Sequence, residues 1–200
     1  MEEYRICAKV LDGPDMDFLY DSKEVMLGRC PICGNKVEDI PNLSAKIKRR
    51  RGNFFNTQDG FQLVSQQFKD FCEKRGYPDL EFKEMTRMKG LYYFLPQREF
   101  ELKSKTLQWY GRFHFECCGA YDELVTEKKY SLQRADNFTL PSDDFIYRSN
   151  FRFSSSYRKG YLIIVGLQTM KALEDEGMGA LFFPWNIYEC ISPSSLTNSD

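Results

Sequence analysis

Gly60-Phe61-Gln62-Leu63-Val64-Ser65 is a largely apolar run that ends on a serine, and Phe68, Phe71, Cys72 and Gly76 follow it at helical spacing. The run reads as a short strand. Ser65 then fits a helix N-cap, whose hydroxyl accepts from an orphan backbone N–H, and Gly76 fits a left-handed C-cap. Beyond the glycine, Leu80 and Phe82 open another strand. The same order returns at an offset of 101 residues, where Tyr161-Leu162-Ile163-Ile164-Val165-Gly166 leads into a helix with Met170 and Leu173 on its apolar face. Val64, Glu73, Gly76, Leu80 and Phe82 align without a gap on Val165, Glu174, Gly177, Leu181 and Phe183. Two strand-helix-strand units, 60–86 and 161–186, therefore predict an α+β fold of mixed and antiparallel sheets with a few helices and pseudo-repeated units.

Around these units the chain is strand-rich. Tyr4 to Val10 reads as a first strand released by the turn Asp12-Gly13-Pro14-Asp15, and Val25 and Leu27 suggest a second. Pro41 to Gly60 is polar and reads as loop. Leu91 to Leu95, Phe100 to Lys103, Leu107 to Phe115 and a short stretch at Leu124 and Val125 suggest an antiparallel region. Strict alternation along Gln108–Phe115 would place Trp109, Gly111, Phe113 and Phe115 on one face and Tyr110, Arg112 and His114 on the other. The stretch from Ser142 to Ser156 reads as loop with edge strands at Phe145-Ile146-Tyr147 and Phe151-Arg152-Phe153, and the tail from Ser192 to Asp200 as frayed.

With 42% hydrophobic residues, 200 residues suffice for one domain, 1–200, with a sizeable core. The 28 basic and 29 acidic side chains give a net charge of -1, so no global field marks a nucleic-acid or membrane binder. An acidic start, Met1-Glu2-Glu3-Tyr4, without a following apolar run, and the lack of any apolar stretch of membrane-spanning length, predict a cytoplasmic protein.

Seven cysteines fit a reducing compartment, and four of them gather at two poles. Cys30-Pro31-Ile32-Cys33-Gly34 has the form of a zinc knuckle: both sulfurs converge on one side of a tight turn that the glycine closes. The second pole spans 114–119. It holds the only histidine, His114, and Cys117-Cys118-Gly119, with Phe115 where a regular Cys-x-x-Cys-Gly would place a cysteine. A structural zinc site would take Cys30, Cys33 and Cys118, with His114 or Cys117 as fourth ligand. A redox role for Cys30 and Cys33 ranks lower, because no helix pattern starts at Cys33 to lower a thiol pKa. Cys7, Cys72 and Cys190 lie among apolar neighbours and read as core packing.

Two other function classes set the comparison. Lys46, Lys48, Arg49, Arg50 and Arg51, beside Phe54 and Phe55, could contact phosphates or an acidic partner, as in a zinc-ribbon nucleic-acid module, but a solvated loop explains such a run as well. A zinc or cysteine hydrolase would have to use His114 with Glu116 as its acid or base, and His114 is already a candidate ligand.

Cys30-Pro31-Ile32-Cys33-Gly34, a second Cys-Gly element at Cys117-Cys118-Gly119 about eighty residues on, and Val64-Ser65-Gln66-Gln67-Phe68 between them resemble the double-CxxCG family of bacterial immunity proteins described in myxobacteria. The final helix-Gly-strand unit through Phe183-Pro184 also fits, and the absent cysteine at Phe115 departs from the pattern. The resemblance implies a cytoplasmic protein that binds and neutralises a cognate toxin and turns over no substrate.

Overall fold

A computed structural model of the chain describes residues 3–20, 26–48, 51–114, 116–126, 131–178 and 182–191. Val25, Arg49, Arg50, Phe115, Leu181 and the tail from Ser192 lie outside the described residues. The strands are β1 (Glu3–Asp12), β2 (Asp15–Met16), β3 (Phe54–Thr57), β4 (Gln62–Ser65), β5 (Leu80–Glu84), β6 (Leu91–Pro96), β7 (Glu99–Phe100), β8 (Leu107–His114), β9 (Ala120–Thr126), β10 (Ser131–Gln133), β11 (Ile146–Ser155), β12 (Gly160–Gly166) and β13 (Phe182–Ile191). Two α-helices, α1 (Gln66–Arg75) and α2 (Leu167–Asp175), are present among the described residues.

One sheet has eight strands in the order β10-β13-β1-β12-β11-β9-β8, with β7 paired to β11. An isolated bridge between Leu102 and Arg134 links the β7 segment back to the end of β10, supported by Lys103 N–H to the Gln133 carbonyl at 2.7 Å. The sheet thereby nearly closes into a barrel, filled by Val10, Phe100, Leu132, Phe145, Ile164 and Ile187 among others. The second sheet is open, in the order β2-β3-β4-β6-β5. Its alternating side chains serve two cores. Phe54, Val64 and Phe94 pack with Ile163, Val165 and both helices, while Phe55, Leu63 and Tyr93 face the loop segment that carries Met26, Ala45 and Ile47.

These thirteen strands and two helices overturn the expected α+β fold with repeated units. α1 joins β4 to β5 and α2 joins β12 to β13, but one crossover lies in an open five-stranded sheet and the other in a barrel-like one. The alignment at offset 101 matches a strand, a helix and a left-handed glycine at Gly76 and Gly177, which is a local signal blind to the sheets around it. α1 itself is built as its caps predict: the Ser65 hydroxyl accepts from Phe68 N–H at 3.2 Å, and Gly76 is left-handed with φ 69.

Other expectations shift for similar local reasons. The polar stretch before Gly60 contains β3, and Ile146–Ser155 forms one long strand in place of two edge strands. β11 lies between β12 and β9, and its register shifts between Arg148 and Arg152, which breaks the alternation there. Leu27 lies in a turn, outside any strand. Cys7 and Cys72 are buried, whereas Cys190 is exposed and packs no core.

Candidate metal centre

The first cysteine turn lies in the long connection between β2 and β3. An antiparallel bridge, Arg29 to Lys36, closes it into a miniature hairpin, and Gly34 N–H donates to the Cys30 carbonyl at 2.9 Å. The second turn joins β8 to β9. Here the N–H groups of Cys117, Cys118 and Gly119 converge on the His114 carbonyl at 3.3, 3.0 and 2.8 Å. Gly34 and Gly119 take the same left-handed conformation, φ 75 and 64, so the two turns end alike although their sequences differ.

The sulfurs of Cys30, Cys33, Cys117 and Cys118 all lie within 4.8 Å of one another. Cys33 and Cys118, separated by 85 positions in sequence, approach to 3.5 Å, far beyond a disulfide bond of about 2.05 Å. Four sulfurs at about 2.3 Å from a tetrahedral ion would stand about 3.8 Å apart, so the cluster is of the right size for a metal. The four cysteines could hold a metal ion. His114 does not join them by its Nε2, which lies 2.5 Å from an Asp122 carboxylate oxygen. Of the two residues left open for the fourth position, Cys117 is the one in the cluster. The histidine serves the turn through its backbone carbonyl.

The electrostatics explain why the cluster suits a cation. N–H groups of Cys33 and Ile32 aimed at its sulfur pull the Cys30 thiol down to about 7. Burial, then the neighbouring thiols, push Cys117 up to about 12. Cys118 is also raised, by burial and the Cys33 sulfur, against a favourable N–H from Ala120. Once one thiolate forms, the next ones resist ionisation unless a positive ion sits among them.

Buried charges anchor the first turn. Lys36 is 1% exposed; its ammonium lies 3.0 Å from Asp39, 3.2 and 3.3 Å from the carbonyls of Asp59 and Gly60, and 3.5 Å from the centre of the Phe61 ring. The other Asp39 oxygen takes Arg152 of β11 at 2.7 Å. Nothing in the sequence pattern singled out Lys36, Asp39 or Arg152, because their roles come from burial that only the fold creates. Beside the second turn, Asp122 of β9 accepts from Arg112 N–H at 2.7 Å as well as meeting His114, and these contacts lower its pKa. They pin a bulge in β8 between Tyr110 and Phe113, where Gly111 has φ 77. The bulge breaks the expected alternation, and the His114 ring meets Asp122 instead of the sulfur cluster.

The described part of the basic run, Lys46, Lys48 and Arg51, supplies no member of the sulfur cluster. Ala45 and Ile47 are buried and alternate with exposed Lys46 and Lys48, and Arg51 is exposed, which is the pattern of a solvated segment anchored by its small apolar residues. Glu116 is exposed and lines a cavity of about 630 Å³ with Ile32, Phe113 and His114. Among the described residues, no helix is long and apolar enough to cross a membrane. In comparisons with protein families, curated proteins and solved structures, the chain matches none.

Proposed function

We propose that the chain is a zinc-stapled cytoplasmic binding protein that neutralises a cognate bacterial toxin, the role implied by the resemblance of its cysteine turns to the double-CxxCG immunity family. The observation that carries the reading is the all-sulfur cluster. Four thiolates fill a tetrahedral shell and leave no position for water or substrate, which favours a staple over a catalytic centre. A soft, four-sulfur tetrahedral set favours zinc among the common divalent ions. The staple joins the loop over the five-stranded sheet to the β8–β9 hairpin. Exposed Trp109, Tyr110 and Phe113 on that hairpin, with Ile32 79% exposed at the tip of the first turn, are suitable anchors for a protein partner.

Two measurements test this reading. Elemental analysis of protein purified without chelator should give about one zinc per chain, and less than about half an equivalent would count against the staple. Co-expression with the product of the adjacent gene tests the partner. Growth arrest by that product alone, relieved by this chain and less so by a Trp109→Ala, Phe113→Ala variant, is the expected result. A neighbour that is harmless, or whose toxicity this chain does not relieve, would remove the immunity reading.

A further inference from the structure

Lys159 is a buried lysine that shares a cavity with Cys118, one of the four clustered cysteines. It is 4% exposed, and its ammonium donates to the carbonyl of Tyr121, three residues past Cys118. With Cys118, Gly119 and Ala120 it lines a cavity of about 220 Å³. Lys36 and Arg152 also line that cavity, but both share Asp39. Burial lowers the Lys159 pKa, and the charges that oppose this are the sulfurs of Cys118 and Cys33 and the carboxylate of Asp122.

The charges of the two groups are complementary. Four thiolates around a divalent ion carry a net charge of about two minus. A buried ammonium hydrogen-bonded to a neutral carbonyl is costly unless negative charge lies nearby, and so is a dianionic cluster in a half-buried site without a nearby cation. We infer that Lys159 is the outer-sphere counter-ion of the metal centre, a positioning residue that holds part of the thiolate charge. The inference rests on the metal reading above. By offsetting part of the negative charge of the metal-thiolate cluster, Lys159 favours metal retention, and the same attraction makes the bound thiolates poorer nucleophiles.

Wild-type protein, Lys159→Met and Lys159→Arg can be titrated with Co²⁺ and with Zn²⁺ against a chromophoric chelator. Wild type should give the charge-transfer spectrum of tetrahedral cobalt thiolate. Lys159→Met should hold zinc about 10–100-fold more weakly, the loss typical of outer-shell changes. Its charge-transfer band should move to longer wavelength, and iodoacetamide should alkylate the metal-bound thiolates faster. Lys159→Arg should recover most of each property. Should Lys159→Met fail to fold, Lys159→Gln, which can still donate to the Tyr121 carbonyl, takes its place. An unchanged band and alkylation rate overturn the inference, whether affinity is kept or is lost without rescue by arginine, since the latter is a packing defect. A wild type that takes up cobalt without thiolate bands overturns the metal reading too, and that failure is recognisable because it needs no variant.

Discussion

The two cysteine turns end in matching glycine conformations but are held by different means. The Cys30–Gly34 turn rests on a buried lattice of Lys36, Asp39 and Arg152 and is tied by Lys36 N–H to the Ser156 carbonyl at 3.3 Å. The Cys117–Gly119 turn sits at the tip of a hairpin whose first strand is exposed from Trp109 to Phe113, and its side-chain supports include Asp122 and the Lys159 ammonium on the Tyr121 carbonyl. One turn is set by the interior of the protein. The other depends on its partner across the cluster, so metal should organise the hairpin far more than the knuckle.

The sharpest way to break this contrast is Asp39→Ala, which strands Lys36 and Arg152 without their shared carboxylate. A destabilisation of about 3–5 kcal/mol in urea unfolding is expected, as for a buried ion pair stripped of one partner. Cys118→Ser comes next. Zinc affinity should fall at least about 100-fold, roughly 2.7 kcal/mol, and hydrogen exchange should rise along 107–126 while 28–39 stays protected. Equal deprotection of both turns would show that the buried lattice does not hold the knuckle by itself.

A smaller effect probes the hairpin alone. At Gly111 a Cβ would lie 2.6 Å from the Asp122 carboxylate, at a positive φ that side chains disfavour. Gly111→Ala should cost about 1–2 kcal/mol and weaken metal binding, read by unfolding and chelator competition. Asp144→Asn serves as the remote control. Asp144 links the helices by accepting from Tyr77, Arg75 and Thr169, and although burial opposes it, these bonds depress its pKa. Its stabilisation is complete above the ordinary carboxylate pKa and disappears as pH falls through the depressed folded value. Asp144→Asn should therefore cost about 1 kcal/mol at pH 7, progressively less below about pH 4, and leave metal affinity unchanged.

Both turns and both helices were legible in the sequence because their signals are local. Ser65, Gly76 and Cys-x-x-Cys-Gly each act within a few residues. The sheets were harder to read. Phe54 and Phe55 send adjacent side chains into two different cores, so a doubly buried strand shows no alternation. In β11, Ser149 is fully buried, its hydroxyl donating to the Phe151 carbonyl and accepting from Leu162 N–H, and such polar residues made the strand look like loop. The fourth sulfur stayed ambiguous because the β8 bulge and the placement of the His114 ring both involve Asp122 across the hairpin. Lys159 left no trace at all, since only the packed fold puts it next to Cys118.

The placement of β1 between β12 and β13 has a kinetic consequence. Cys7 bonds to the Ile187 carbonyl across 180 positions of chain, so the barrel cannot close until its last strand has left the ribosome. The five-stranded sheet, built from residues 15 to 96, can pair long before that. Such distant pairing slows folding, with loop closure preceding most of the reward. Even after β12 has paired with one edge of β1, the other edge stays open until β13 arrives, which exposes it to mispairing during synthesis.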